Sequence, residues 1–210
     1  MSRLGLIDYG MGNLHSVRRA FERLGAEVVS VADPAADGAL IESCQGLLLP
    51  GVGAFDPAME RLRTSGLDLM LHHWCAAERP LLGICLGLQL LFEASDEGCS
   101  RGLALLPGRV RALPRRRGHP IPHMGWEPLI PLNPSPLLPA GAPEAWVYFV
   151  HSFAAEPSDP AITTAGVDFA GDTVTAAVWR GAIGACQFHP EKSGRAGEAI
   201  LRRWLDWLPA

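Results

Sequence analysis

The sequence has no long hydrophobic run and no surplus of basic charge, and each absence excludes a class of protein. None of its segments reaches the roughly 18 consecutive apolar residues of a membrane helix, and the N-terminal apolar run is too short for a signal peptide. We therefore expect a cytoplasmic protein. The formal charge of −4 gives no reason to expect nucleic acid as a partner. The one basic cluster, residues 111–120, predicts a solvated surface loop, with a phosphate or acidic-partner contact as the alternative.

Cysteine is also scarce, and its five residues form no CxxC pair. This pattern favours reduced thiols over a disulfide framework or a zinc site, so we expect no metal and no cofactor. Repeats and low-complexity segments are lacking too. With 48% hydrophobic and 19% charged residues, the composition is that of a folded globule, and the length suits one domain over residues 1–210.

The first half of the chain alternates short apolar runs with helical patterns. Four runs read as strands: RLGLIDYG, AEVVSVAD, GLLLPGVG and PLLGIC. After the first, an apolar spacing of three and four residues predicts a helix that Asn13 caps and Gly25 ends. Continuous apolar strands joined by helices predict an α/β fold with a central, mainly parallel sheet flanked by helices.

The second half contains successive strand candidates with few helices between them: GRVRAL, WEPLI, WVYFVHSF, AITTAGV, TVTAAVW and AIGACQF. Their order predicts antiparallel strands, either extending the first sheet or forming a second small one. The proline-rich stretch 128–143 predicts a long surface loop. A closing helix is indicated by one apolar stripe: Ile200, Leu201, Trp204, Leu205 and Leu208.

Cys85 lies between two glycines where a predicted strand turns into a predicted helix. Ligands of parallel α/β sheets bind at such strand ends. Gly83 and Gly87 would permit a sharp corner that exposes the sulfur, and the helix N-terminus would favour thiolate over thiol. The backbone N–H of Leu86 would then point at a developing oxyanion. The alternative is a buried structural cysteine with packing glycines.

A cysteine nucleophile needs a base, and only one of the seven histidines brings its own orienting group. His189 is followed by Pro190 and Glu191. Proline favours an extended segment, in which residues two apart project to one side, so Glu191 would reach the His189 ring. Cys85, His189 and Glu191 would then form the nucleophile, base and orienting group of acyl transfer. A surface turn is the alternative for this tripeptide.

A second oxyanion donor is expected from the loop after the third strand. In LPGVGAF, one N–H of Gly51, Val52 or Gly53 would face the Leu86 N–H, since glycines let main chain approach a substrate closely. A tight turn leading into a helix explains the same spacing.

These segments together resemble the class I (triad-type) glutamine amidotransferases, and within them the glutaminase subunits of imidazole glycerol phosphate synthase. GICLGLQLL and HPE carry the broader resemblance, and DYGMGNLHSV, LPGVGAF, IPHMGWE, YFVHSF and QFHPEKS the narrower one. The resemblance implies that L-glutamine is hydrolysed to glutamate and ammonia through a cysteinyl thioester. It also implies that four residues contact glutamine: Gln89, His151, Ser152 and Phe153.

The resemblance further implies a heterodimer with a (β/α)8-barrel cyclase subunit, which uses the ammonia to make imidazole glycerol phosphate and aminoimidazole carboxamide ribotide in histidine biosynthesis. The residues implied to face this partner are Asn13, Met124, Trp126 and Lys192, the only lysine. For Met124 and Trp126, local core packing is the alternative. Glu127 and His119 depart from the usual pattern in this region, and their effect on docking stays open.

Three other interpretations stay open. The chain could be a glutaminase that serves a different synthase. It could be an α/β-hydrolase with a cysteine nucleophile, although those enzymes place the acid well before the histidine. It could be a catalytically dead binding subunit, which would have no need to keep Cys85, His189 and Glu191.

Overall fold

A computed structural model describes residues 2–209, and its regular structure follows the predicted alternation closely. The strands are β1 (Arg3–Ile7), β2 (Glu27–Val31), β3 (Gly46–Gly51), β4 (Leu81–Cys85), β5 (Ala94–Ser95), β6 (Gly108–Ala112), β7 (His123–Pro128), β8 (Ile130–Pro131), β9 (Trp146–His151), β10 (Phe153–Pro157), β11 (Thr163–Phe169), β12 (Asp172–Arg180) and β13 (Ile183–Cys186). The α-helices are α1 (Leu14–Arg23), α2 (Gly38–Glu42), α3 (Phe55–Thr64), α4 (Leu67–Ala76), α5 (Leu86–Leu90) and α6 (Gly194–Trp207).

The central sheet has eight strands in the order β2-β1-β3-β4-β13-β12-β11-β8. Its first five strands run parallel, and β12, β11 and β8 add antiparallel pairs. Every residue of β3 and β4 is buried, as continuous apolar strands covered on both faces require. The predicted α/β class and the mainly parallel sheet are confirmed.

Helices cover both faces of this sheet, and the sheet separates the core into two large clusters. On one face α1 and α6 pack together, with the rings of Phe21 and Trp204 edge to face at 5.7 Å. Phe55 of α3 and Trp74 of α4 are buried on the other face. The Asn13 side chain caps α1 by accepting the Ser16 N–H at 3.4 Å, as predicted.

Both alternatives for the second half occur, because the antiparallel extension is accompanied by two small sheets, β10-β6-β5 and β7-β9. One strand differs from the expectation. The hairpin between β12 and β13 reverses the chain, so β13 runs parallel to β4, with Cys186 opposite Ile84. This places the segment after β13 beside the carboxyl end of β4.

The prediction of a surface loop over residues 128–143 is wrong in part. Ile130 and Pro131 form the edge strand β8 against β11, and Leu137 and Leu138 are buried in the core. The apolar side chains of Leu137 and Leu138 pack into the core although the prolines around them favour an irregular backbone.

By contrast, most of the basic cluster at 111–120 is exposed and irregular, as expected. Among residues 2–209, no helix is long and apolar enough to cross a bilayer.

Candidate active site

Cys85 sits at a strained corner between β4 and α5. Its backbone has φ 57° and ψ −113°, a conformation that residues other than glycine rarely adopt. Close approach explains the flanking glycines: a Cβ at Gly87 would collide with the Leu49 carbonyl oxygen, and one at Gly83 would crowd Ala185 at 3.1 Å. The corner leaves Cys85 7% exposed, with its sulfur at the wall of a cavity.

His189 reaches the same cavity from the end of β13. It is buried, and its Nδ1 lies 2.8 Å from Oε1 of Glu191. The carboxylate therefore holds the Nδ1 proton, and Nε2 is the nitrogen left to accept one. Nε2 is buried and makes no hydrogen bond within the described part of the chain. Burial lowers the pKa of His189, but the Cys85 sulfur and the Glu191 carboxylate together outweigh it and raise the pKa to about 9.

The contact between His189 and Glu191 has a different backbone origin from the one predicted. His189 itself is extended, but Pro190–Lys192 forms a turn of 3-10 helix rather than a continued strand. Proline at the first position suits such a turn because its φ is already helical. Ser193 closes it, since its hydroxyl donates to the His189 carbonyl at 2.6 Å and accepts the Tyr148 N–H at 3.0 Å.

A cavity of about 310 Å³ collects most of the predicted site residues. Besides Cys85 and His189, those lining it are Val52, Gly53, Leu86, Gln89, His151, Ser152 and Phe153. The sequence interpretation missed three further lining residues, Glu97, Pro122 and Val150. A cavity of about 530 Å³ lies elsewhere, near Trp74 and Arg79, but neither Cys85 nor His189 lines it. Volume alone therefore does not locate the site.

Gly51 is the one predicted oxyanion residue that does not line the cavity. A Cβ at this position would collide with the Tyr9 hydroxyl and lie 2.9 Å from the Leu86 Cβ. The same hydroxyl donates to the Pro50 carbonyl at 2.9 Å. Gly51 thus lets β3 pass closely over α5, and Val52 and Gly53 are left as candidates for the second donor.

His151 forms part of the cavity wall and is unsuited to act as a base. Its Nδ1 lies 2.9 Å from the Phe153 carbonyl oxygen, and its Nε2 lies 3.2 Å from Nδ1 of His123. Burial lowers the pKa of His151 to about 4, and the neighbouring His123 and His189 also lower it. His151 is therefore neutral near pH 7, with both ring nitrogens engaged.

The residues expected to face a partner are not core residues. Met124 is 60% exposed and Trp126 49% exposed, so the alternative of local core packing is wrong for both. The centres of the Trp126 and Tyr148 rings lie 6.0 Å apart. Nζ of Lys192 lies 5.9 Å from the centre of the same Tyr148 ring. Glu127 approaches His123 at 4.0 Å. Asn13 is half-buried at the start of α1.

Comparison with known proteins agrees with this geometry. The family model "Glutamine amidotransferase class-I" matches residues 5–207. The chain therefore belongs to the class I glutamine amidotransferase family.

Its curated relatives point to one branch of the family. The chain is 56% identical over 205 residues to imidazole glycerol phosphate synthase subunit HisH 2 of Parasynechococcus marenigrum, covering 98% of this chain and 95% of the relative. It is 57% identical over 207 residues to subunit HisH of a Synechococcus species, covering 98% and 94%. A chain of the PurLQS structure from Thermotoga maritima shares the fold, with a TM-score of 0.75, 20% identity and 98% of both chains covered.

Proposed function

We propose that this chain is the glutaminase subunit of imidazole glycerol phosphate synthase and hydrolyses L-glutamine at Cys85. The observation that carries the proposal is the shared cavity. It holds a strained cysteine and the buried, unpartnered Nε2 of a histidine whose Nδ1 is bound to Glu191. Family membership and the names of the relatives support glutamine as substrate and histidine biosynthesis as the setting.

The reaction begins from the state in which Nε2 of His189 already carries the proton of the Cys85 thiol, as the raised pKa of His189 favours. The sulfur then bonds to the side-chain amide carbon of glutamine, and the carbonyl electrons move onto oxygen. The Leu86 N–H and an N–H of Val52 or Gly53 would stabilise this oxyanion. When the C–N bond breaks, the nitrogen takes the proton from His189 and leaves as ammonia, and a thioester remains on Cys85.

Hydrolysis of the thioester returns the enzyme to its starting state. His189 removes a proton from water, the hydroxide adds to the thioester carbon, and the C–S bond breaks to release glutamate. The sulfur recovers its proton from His189. Glu191 stays ionised throughout, holding the imidazole in one tautomer and stabilising its protonated form.

The cavity walls offer the groups that an amino acid substrate requires. Gln89, His151, Ser152 and Phe153 supply amide, main-chain and aromatic contacts, as the family resemblance implies. Glu97 places a carboxylate in the same cavity, the right charge for an α-ammonium group. One of its oxygens accepts the Phe55 N–H at 3.0 Å, which fixes the side chain.

A cyclase subunit would receive the ammonia, and exposed apolar side chains on segments that reach the cavity suit its docking. Val52, Ile121, Met124 and Trp126 are each more than a third exposed. Val52 lines the cavity, and Ile121 precedes Pro122, which also lines it. Large exposed apolar and aromatic side chains are typical of interface anchors. Lys192 and Asn13 are proposed to contact the partner as well.

The test is a glutaminase assay of the purified chain, alone and with a (β/α)8-barrel cyclase subunit and its phosphoribosyl-formimino substrate. We expect slow hydrolysis alone, faster hydrolysis in the complex, and no turnover by Cys85→Ala. Unchanged turnover in Cys85→Ala would exclude the nucleophile. Hydrolysis that the cyclase neither binds nor accelerates would instead indicate a glutaminase serving a different synthase.

A further inference from the structure

Gln187 is a fully buried polar residue beside the nucleophile, and the mechanism above does not use it. It follows β13 directly, and its Nε2 lies 3.8 Å from the Cys85 sulfur, within reach of a hydrogen bond to sulfur. An amide nitrogen can only donate, so this contact places a donor on the sulfur. Such a contact is stronger with a sulfur anion than with a neutral thiol, because charged acceptors form stronger hydrogen bonds.

A fixed chain of hydrogen bonds determines which end of the Gln187 amide meets the sulfur. It begins at the Phe153 carbonyl oxygen, which can only accept. Nε2 of Gln89 donates to this oxygen at 3.1 Å, and the same NH2 group lies 3.0 Å from Oε1 of Gln187. Because Gln89 uses both protons as a donor, Oε1 of Gln187 is held toward Gln89. Nε2 of Gln187 must therefore face Cys85.

The Phe153 carbonyl is held from its other side as well. Nδ1 of His151 donates to it at 2.9 Å, which leaves Nε2 of His151 to accept from Nδ1 of His123 at 3.2 Å. His123 belongs to β7 and His151 to β9, so two strands away from the sulfur hold this chain of hydrogen bonds in place. A flip of the Gln187 amide would set two NH2 groups against each other at Gln187 and Gln89, and a compensating flip of Gln89 would break its bond to the Phe153 carbonyl.

We propose that Gln187 is a further catalytic residue, which donates an N–H to the Cys85 thiolate and so increases the ionised fraction of the nucleophile. The proposal deepens the glutaminase function and rests on it for its catalytic consequence. His189 is the other polar side chain that acts on the sulfur. The remaining titratable groups around it are Tyr9, Cys186 and, across the cavity, Glu97 and His151. None of these is cationic near pH 7, so Gln187 and His189 are the side chains that favour the anion.

The test replaces Gln187 by methionine, which has similar volume and no donor. The pH dependence of Cys85 alkylation by iodoacetamide is measured by peptide mass spectrometry, with glutamine kinetics in the cyclase complex beside it. We expect the alkylation midpoint to move about one pH unit upward and kcat to fall about 10-fold, as loss of a bond to an anion predicts. KM should change much less, because Gln187 does not line the cavity.

Phe188→Leu serves as the control, because it disturbs the neighbouring buried residue without removing a donor. It should lower the unfolding midpoint while leaving the alkylation profile in place. The proposal is overturned if folded Gln187→Met alkylates with the wild-type pH profile, or if Phe188→Leu shifts the profile equally. Alkylation by iodoacetamide does not require glutamine, so it tests Gln187 independently of the glutaminase function. If the chain hydrolysed no glutamine, the glutaminase function would be refuted, but the upward shift of the alkylation midpoint in Gln187→Met would still be expected.

A second measurement covers the case in which Gln187→Met does not fold. The side-chain amide signals of Gln187 are followed by NMR in the isotope-labelled wild-type chain as pH rises. We expect them to shift with the same midpoint as alkylation, and to stay constant in Cys85→Ala. Signals that do not respond to ionisation of Cys85 would contradict the donor role.

Discussion

Because the backbone at Cys85 is strained, we expect the Cys85→Gly variant to be more stable than the Cys85→Ala variant. The φ of 57° and ψ of −113° penalise any residue with a Cβ by about 1–3 kcal/mol, and this nearly glycine-only region lies toward the upper end. Cys85→Ala keeps that strain, and Cys85→Gly releases it. Comparing the two variants cancels the loss of the sulfur, which they share.

The magnitude follows from three opposing effects. Release of strain favours glycine by about 3 kcal/mol. The more flexible unfolded chain of the glycine variant opposes this by about 1 kcal/mol. The missing methyl group, buried in the wild-type corner, opposes it by about 0.8 kcal/mol. Cys85→Gly should therefore be about 1 kcal/mol more stable than Cys85→Ala, or roughly 2–4 °C higher in Tm for a chain of this size.

Urea unfolding followed by far-UV circular dichroism measures the difference. Ala199→Gly is the matched control, because Ala199 lies in the interior of helix α6, where replacing alanine by glycine should cost about 1 kcal/mol. A gain in stability from alanine to glycine at position 85, with a loss at position 199, would support strain stored at the nucleophile. An equal loss at both positions would refute the reasoning.

Three further predictions test the site. Gly87→Ala should destabilise the fold by about 3 kcal/mol or more, since its Cβ would collide with the Leu49 carbonyl oxygen, and urea unfolding measures this. Glu191→Gln should lower kcat at least about 10-fold, measured by glutamine turnover, and lower the pKa of His189, measured by NMR titration. The free energy of unfolding should be highest near pH 6.5. Below that pH the unfolded chain binds a proton at His151 that the folded chain, with a pKa of about 4 there, does not, so stability falls. Above it the folded chain keeps a proton on His189, with its pKa of about 9, that the unfolded chain has lost, so the stability due to this proton disappears as pH rises toward 9.

Each of the three has its own control or contrary outcome. Gly38→Ala, where an added Cβ meets open space, should not destabilise, and a similar loss at both glycines would argue against close packing at Gly87. Full activity in Glu191→Gln would show that the carboxylate does not orient the base. A free energy of unfolding that does not change between pH 6.5 and 9 would contradict a His189 proton held by the folded state. In Cys85→Ala, the fall in stability over this pH range should be smaller, because the sulfur no longer raises the pKa of His189.

The sequence predicted the parts of the site that depend on local geometry. The Gly-x-Cys-x-Gly pattern located the corner at Cys85, and a separation of two residues was enough to bring Glu191 to His189. Apolar runs bounded by glycine and proline located the parallel strands, because such runs must be buried on both faces.

Features set by the register between distant strands could not be read in the same way. Gln187 meets Cys85 only because β13 pairs in parallel with β4, which the antiparallel expectation for the second half did not foresee. The one signal for it was a polar residue at the end of an apolar strand. Glu97 lies in an irregular segment without a motif. Leu137 is buried although its surroundings are rich in proline.

The central claim is that one activated thiol, Cys85, carries the chemistry. The most direct measurement is labelling by 6-diazo-5-oxo-norleucine, a reactive glutamine analogue, followed by peptide mass spectrometry across all five cysteines. We predict a label on Cys85 alone, prevented by excess glutamine. Label on Cys44, Cys75, Cys99 or Cys186 at a comparable rate, or an unlabelled Cys85, would contradict the account.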